Sequence, residues 1–341
     1  MKRVLFYSSV KDYSLFKLTG FYVEDVKVLE EAGYAVICTN KYLQYLKFWK
    51  YDIAFLYFYR KSLIPALFAR FFLKKVVYTG GIDEFSENIV LNKTSRTIFR
   101  VLFKLNYLFA DSCNIVSKGD FNNVIKVLEE FPKMSSSKLS YAPHSINIVD
   151  YNFANSFVKE NIITTICWMS AISNVKRKGV DKTIQLFKKI KATHTDYKLY
   201  LIGSTGEGSD YLKGIIKKEG LEDSVIFTGP IDENHKINLL SRSKYYMQLS
   251  AYEGFGVAVI EAIMLKNFIF HTGNGGLRDT IADGGYLIKD FNEYYDAVMF
   301  FDELENGQSN VAKQLEENKQ FVIDNFSRSS RAKYFKNIIS D

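Results

Sequence analysis

The chain predicts an α/β protein made of two Rossmann-like, doubly wound domains facing a cleft. Three observations carry that expectation. Short apolar, β-branched or aromatic runs alternate with helix-length amphipathic stretches from end to end, which is the rhythm of parallel strands joined by crossover helices. A length of 341 residues leaves room for two separate cores. The rhythm also restarts after an irregular stretch near residues 146–161. The first domain is therefore drawn over 1–155 and the second from 156 onward.

In the first half, strands are expected at RVLFYSS (3–9), YAVICTN (34–40), YDIAFLYF (51–58), KKVVYTG (74–80) and LSYAPHS (139–145), with a shorter one near 107–117. Between the first two lies GFYVEDVKVLEEAG (20–33), a helical pattern that stops on Gly33. The second half offers strands at TTICWMS (164–170), KLYLIGS (198–204), SVIFTGP (224–230), YYMQLS (245–250), NFIFHTG (267–273) and GGYLI (284–288). Trp168 and Met169 are read as core residues of the first of these.

Composition narrows the class. The chain is 47% hydrophobic and 16% aromatic, which excludes a disordered protein. Cys38, Cys113 and Cys167 form no C-x-x-C pair, the pattern of a reducing compartment with neither zinc site nor disulfide framework. MKRVLFYSSVK is broken too early for a signal peptide. No window offers the about 18–20 uninterrupted apolar residues of a spanning helix. The expected location is cytoplasmic.

The net charge of +7 is uneven. Residues 1–150 hold 21 Lys and Arg against 14 Asp and Glu, and the rest of the chain is balanced at 24 against 24. Residues 46–75 contain Lys47, Lys50, Arg60, Lys61, Arg70, Lys74 and Lys75 against Asp52 alone, interleaved with aromatics such as Trp49 and Tyr57. A solvated basic face accounts for this; contact with an anionic membrane surface accounts for it equally. No nucleic-acid motif is present.

In doubly wound sheets, ligands bind beyond the carboxyl ends of the strands. The segments that follow the second-half strands, AISNVKRKG, TGEGSD, IDEN, AYEGFG and NGGLRD, gather glycines, cations and carboxylates there. In EGFGVAVIEA, Gly254 and Gly256 free the backbone where a strand turns into a helix, and the amides at that helix start suit a phosphate or sugar hydroxyls. Glu253 stands just ahead of the helix. Glu261 lies one and a half to two turns inside it, within an apolar run. Two readings of Glu261 stand: it accepts the paired 2′- and 3′-hydroxyls of a ribose, or it reaches a buried cation or backbone donor and ties two elements together. Lys176, Arg177 and Lys178 precede Gly179 and a helix, where cations oppose the dipole unless an anion lies between them.

The order K-G (178–179), L-I-G (201–203), V-I-F-T-G (225–229), S-x-x-E-G-F-G-x-x-x-I-E-A (250–262) and G-G-L-R-D-T-I (275–281) resembles the family 4 retaining glycosyltransferases of the GT-B fold. The N-terminal half resembles them more loosely, through its opening strand, the Thr19-Gly20-Phe21 turn and Ser117. FSRSSRAKYFKNII resembles the family's last helix. The resemblance implies a nucleotide-sugar domain over 156–322, an acceptor domain over 1–155, and a helix within 323–341 that crosses back to the first domain. It implies transfer of a hexose-type sugar from a UDP- or GDP-linked donor to an acceptor hydroxyl, with retention. Glu253 then contacts the donor sugar, Glu261 the ribose, and Lys178 the diphosphate. The amides of Gly254, Phe255 and Gly256 cap the sugar or phosphate, Thr228 and Gly229 border the base, Gly275 approaches the ligand, and Thr19 and Gly20 line the acceptor or phosphate loop. No cofactor and no metal is implied, and no D-x-D occurs in the chain.

Departures from the family pattern are specific. The arginine expected several residues before Lys178 is missing, leaving Arg177 or Lys176 as the second phosphate cation. Only His144 falls in the first half, near the linker, and it is read as a linker residue. The matching strand end reads TGGIDEFS, where Asp83 either orients the acceptor hydroxyl as its base or caps a turn. The basic N-terminal face favours a lipid-linked or cell-surface saccharide precursor as acceptor. The rivals are a transferase with a soluble small-molecule or protein acceptor, a non-catalytic GT-B partner subunit, and a nucleotide-sugar epimerase. For the epimerase, residues 1–150 offer no recognisable acid/base pair.

Overall fold

The computed structural model describes residues 1–89, 91–131, 134–149, 151, 157–289 and 294–339, with side chains to residue 335. The expected domain boundary at 155/156 lies outside the described residues. The chain divides into two compact units, Met1–Asn147 with Asn325–Asp341, and Ile148–Asp324.

The first unit carries β1 (Arg3–Tyr7), α1 (Leu15–Leu18), α2 (Gly20–Glu31), β2 (Ala35–Thr39), β3 (Ile53–Tyr57), α3 (Leu63–Phe71), β4 (Lys75–Gly80), α4 (Lys93–Phe109), β5 (Ser112–Ile115), α5 (Lys118–Glu129) and β6 (Leu139–Tyr141). Its strands form a parallel sheet in the order β2-β1-β3-β4-β5-β6. Alternation along the strands sends Val4, Phe6, Phe55 and Val77 to one face, with Tyr22 and Val28 of α2. Leu5, Leu56, Val76 and Tyr78 go to the other, with Ala66 of α3, Phe103 of α4 and Val124 of α5. This is the doubly wound arrangement that the alternating runs predict.

The second unit carries β7 (Glu160–Ile166), α6 (Ile172–Lys178), α7 (Val180–Thr193), β8 (Lys198–Ile202), α8 (Glu207–Lys218), β9 (Val225–Gly229), α9 (Glu233–Arg242), β10 (Ser243–Gln248), α10 (Val257–Met264), β11 (Phe268–His271), α11 (Leu277–Ile281), β12 (Tyr286–Leu287) and α12 (Tyr295–Glu305), followed by α13 (Ala312–Phe326). Its parallel sheet runs β12-β11-β10-β7-β8-β9. The order reverses between β7 and β10, so the loops that follow these two strands lie side by side at the carboxyl edge.

The last helix, α14 (Arg328–Ile339), belongs to the first unit. Arg331, 1% exposed, holds it there. Its guanidinium makes a fork with both oxygens of Asp25 at 2.9 and 2.8 Å. It also donates to the Pro143 carbonyl at 2.9 Å, to the Ala142 carbonyl, and to Thr79 Oγ1 at 3.1 Å. Tyr57 donates its hydroxyl to Asp25 from the other side. His144, read from the sequence as a linker residue, is buried and stacked on Phe21, with ring centres 5.1 Å apart.

Burial, reinforced by Arg331, pushes the His144 pKa down to about 3, and burial pushes His271 of the second unit down to about 4. An unfolded histidine takes its proton near pH 6.5, so between there and the folded value the unfolded state binds more protons. The stability from these two groups is therefore complete above about pH 6.5 and is lost as pH falls below it, by about 1.4 kcal/mol per pH unit for each. The melting temperature is expected to drop between pH 7 and pH 5, and the drop to shrink in His144→Gln.

Candidate active site

The site is assembled where the sheet order of the second unit reverses. β7 ends at Ile166, earlier than the apolar run suggests, and the chain then rises along the carboxyl edge. Cys167 N–H donates to Ile202 O at 2.9 Å and Met169 N–H to Ser204 O at 2.9 Å. Met169 is fully buried, but Trp168 is 63% exposed, against the expectation that both are core residues. The strand has stopped before them, so the side chains that alternate past its end meet solvent on one side. Burial pushes the Cys167 thiol up to about 11.

Lys176, Arg177 and Lys178 form the last turn of α6 and do not begin a helix directly after a strand. Cations are stabilised at that negative end, so their presence does not itself require an anion. Gly179 follows at φ 64°, closing α6 and opening α7. An added Cβ there would lie 1.9 Å from the Leu249 carbonyl oxygen, so the corner fits only as glycine. That close approach presses the α6–α7 corner onto the loop after β10. Ala251 N–H donates to Arg177 O at 2.8 Å, and Arg177 Nη1 donates to Tyr252 O at 3.4 Å.

The result is an ion pair between Lys178 Nζ and Glu253 Oε2, with side-chain exposures of 19% and 10%. Gln248 Nε2 and Ser250 Oγ approach the same carboxylate oxygen at 3.5 Å. Gln248 is itself oriented by the Tyr246 hydroxyl at 2.8 Å and by Ser250 at 2.7 Å. Lys176 turns aside: it pairs with Asp181 at 2.6 Å and lies over the Tyr211 ring.

The glycines around Glu253 serve backbone packing. A Cβ on Gly275 (φ 64°) would sit 2.3 Å from Glu253 O, so the chain's own loop already requires a glycine there. Gly276 N–H donates to Glu253 O at 2.7 Å. Gly256, at φ 103°, opens α10; the first N–H groups of this helix have no partners one turn back and face the same edge as Glu253. Phe255 is buried, so its side chain belongs to the protein core.

Glu261 sits just over one turn into α10, nearer its start than expected. It is buried, and its partner is Lys236 of α9 at 2.9 Å. Lys236 also binds Glu233 at 2.8 Å, and Tyr151 supplies a further hydrogen bond to Glu261. Burial raises the Glu261 pKa, opposed by Lys236. Burial works to lower that of Lys236, but Glu261 and Glu233 outweigh it and raise it. At the end of β9, Thr228 Oγ1 donates to Gly229 O at 2.7 Å, and Gly229 (φ 68°) faces open space.

Asp83, Thr19 and Gly20 belong to the first unit. Asp83 opens the 3-10 turn Asp83–Phe85 directly after β4, and Ser86 N–H donates to its carbonyl at 3.0 Å. Thr19 and Gly20 stand at the start of α2. The sequence reading missed three groups. Glu84, beside Asp83, has its pKa raised by burial. Lys236 was signalled only by its spacing of three from Glu233 on a helix, and Gln248 by a polar residue at the end of an apolar strand.

Residues 165–322 match the protein-family model described as "Glycosyl transferases group 1". The match covers just under half of the chain and lies within the second unit. A trehalose synthase of Thermococcus litoralis is 28% identical over 159 residues, 44% of this chain and 38% of that protein, so the match spans well under half the length of that relative. The alpha-1,3/1,6-mannosyltransferase ALG2 of Dictyostelium discoideum is 25% identical over 328 residues, 85% of this chain and 75% of the relative. Among solved structures, Anabaena Alr3699/HepE in complex with UDP and glucose superposes with a TM-score of 0.75 at 17% identity, covering both chains completely. The GT-B expectation therefore holds for the fold, and Lys178 and Glu253 both lie inside the residues matched by the family model.

Proposed function

We propose that the protein is a retaining glycosyltransferase that moves a hexose-type sugar from a UDP- or GDP-linked donor to an acceptor hydroxyl on a lipid-linked or cell-surface saccharide precursor. The observation that carries this is the Lys178–Glu253 pair, seated where the sheet order reverses and beside the start of α10. Departure of a nucleoside diphosphate builds negative charge, and a cation and helix-start amides already in position stabilise it without reorganising. On this reading the diphosphate takes Lys178 from Glu253, with Arg177 alongside. Glu253 is then free to accept from hydroxyls of the donor sugar, which the Gly254–Gly256 amides cap. Glu261, held as an acceptor by Lys236, receives the ribose hydroxyls, and the base rests against Thr228 and Gly229. Asp83 is the candidate base for the acceptor hydroxyl, and Thr19 and Gly20 belong to the acceptor or phosphate loop of the first unit. The chemistry needs neither metal nor cofactor. The UDP and glucose bound by the Anabaena protein and the mannosyl transfer named for the Dictyostelium one support a nucleotide-sugar reading. The basic aromatic stretch 46–75 supports an acceptor at a membrane surface.

Calorimetric titration with UDP and GDP tests the donor site. Micromolar binding to one of them is expected, weakened on the order of tenfold in Glu261→Gln, which keeps the shape but loses charge-assisted acceptance. If folded protein binds neither nucleotide, the donor site is refuted and the partner-subunit reading takes its place.

A further inference from the structure

α4 carries two apolar stripes. Phe99, Phe103 and Tyr107 point into the core of the first unit. Ile98, Val101, Leu105 and Leu108 fall at helical spacing on the opposite side and are exposed, the first two by 53% and 52%. α3 repeats the design: Ala66 and Ala69 are buried, while Ile64, Leu67 and Phe71 face out, Phe71 by 80%. The two helices are packed neighbours, so the outward stripes form one apolar face, not scattered single residues. Leu73, 91% exposed and held at φ 55°, extends it past the end of α3. Trp49, 58% exposed, stands beside it, because its neighbour Phe48 stacks on Phe72 at 4.5 Å.

We propose that this α3–α4 face docks the protein on an anionic lipid bilayer. The proposal deepens the membrane-surface part of the functional reading and does not depend on the donor chemistry. Charge selects the occupant. Neither helix contains an Asp or Glu, whereas α4 carries Lys93, Arg96, Arg100 and Lys104, and α3 carries Arg70. Arg100 pairs with Glu130 at 3.0 Å and Arg70 with Asp111 at 2.8 Å, and the cations still outnumber these acids; an apolar stripe beside such a basic flank matches acyl chains beneath anionic headgroups. At the far end of both helices lies a cavity of about 740 Å³ lined by Arg70, Lys74, Lys75, Lys138 and the single acid Asp111. Lys138 donates to the carbonyl of Ala110, which ends α4, at 2.7 Å. This concave cationic rim therefore adjoins the stripe and suits a phosphate-bearing headgroup. No helix among the described residues is long and apolar enough to cross a membrane; the docking helices lie along the surface.

Flotation of the full chain with phosphatidylcholine vesicles, with and without phosphatidylglycerol, tests the proposal. Association is expected with the anionic vesicles and not with phosphatidylcholine alone. A Val101→Glu, Leu105→Glu double variant is expected to lose association on the order of tenfold or more, and Arg100→Glu, Lys104→Glu to lose the preference for anionic lipid. All four side chains lie outside the core, and circular dichroism with nucleotide titration shows that fold and donor site are intact. The two readings can therefore fail separately. The proposal is overturned if wild-type protein floats with neither vesicle, or if the Val101/Leu105 variant floats as wild type does. A wild-type dimer that these substitutions dissolve would assign the face to a second copy and overturn it as well.

Discussion

Replacing Lys178 by alanine is expected to lower the rate of sugar transfer by roughly two to three orders of magnitude, the loss typical when a fixed group facing transition-state charge is removed. Two consequences separate this from a general loss of structure. Lys178 is the charged partner of the Glu253 carboxylate, which among the described residues is otherwise approached by two neutral groups at 3.5 Å. Its removal therefore leaves a largely buried carboxylate without its cation and also costs stability. Lys178→Met combined with Glu253→Gln relieves that strain, so the double variant should melt nearer to wild type while remaining inactive. Initial rates with radiolabelled donor, alongside thermal melts of the three proteins, give the comparison. A double variant that transfers sugar at the wild-type rate would reduce the pair to a structural clamp between α6 and the β10 loop.

The second large effect concerns stability. Arg331→Met is expected to destabilise the first unit by about 3–5 kcal/mol, because it strands the buried Asp25 carboxylate. It also removes the donors that satisfy the carbonyls of Ala142 and Pro143. The melting temperature should fall on the order of 10 °C. Adding Asp25→Leu should restore part of the loss, since replacing a whole buried pair costs less than breaking it. Arg328, whose fork to Glu24 at 2.9 and 3.0 Å is more exposed, should matter much less when replaced by methionine. A melt unchanged in Arg331→Met would mean that α14 is held by its apolar contacts, such as Phe335 against Phe55.

Much of the fold could be read from residue order. YDIAFLYF and KKVVYTG are short apolar runs rich in β-branched and aromatic residues, GFYVEDVKVLEEAG ends on a glycine that the structure holds at φ 88°, and both sheets follow. The same holds for the site's main elements. Lys178 follows the first strand of its unit and Glu253 the fourth, and a doubly wound sheet makes those two loops neighbours. What stayed hidden was the choice of partners. The carboxylate buried in VAVIEAIML raised the question of what it meets, and two answers fitted the sequence. Folding brings it Lys236, 25 positions away on another helix. The same blindness hid that Lys176–Lys178 end a helix, that Trp168 emerges beyond its strand, and that one flank of α4 stays exposed among the described residues.

By itself, then, the sequence determined the two parallel sheets, the helices between them and the edge where chemistry collects, because periodicity and backbone preference act over a few neighbouring residues. The tertiary structure alone decided which charges meet: Lys178 with Glu253 across 75 positions, and Arg331 with Asp25 across 306. Pairing of that kind is set by crossover connections and by close approaches such as Gly179 on Leu249, where one missing Cβ lets two distant loops touch.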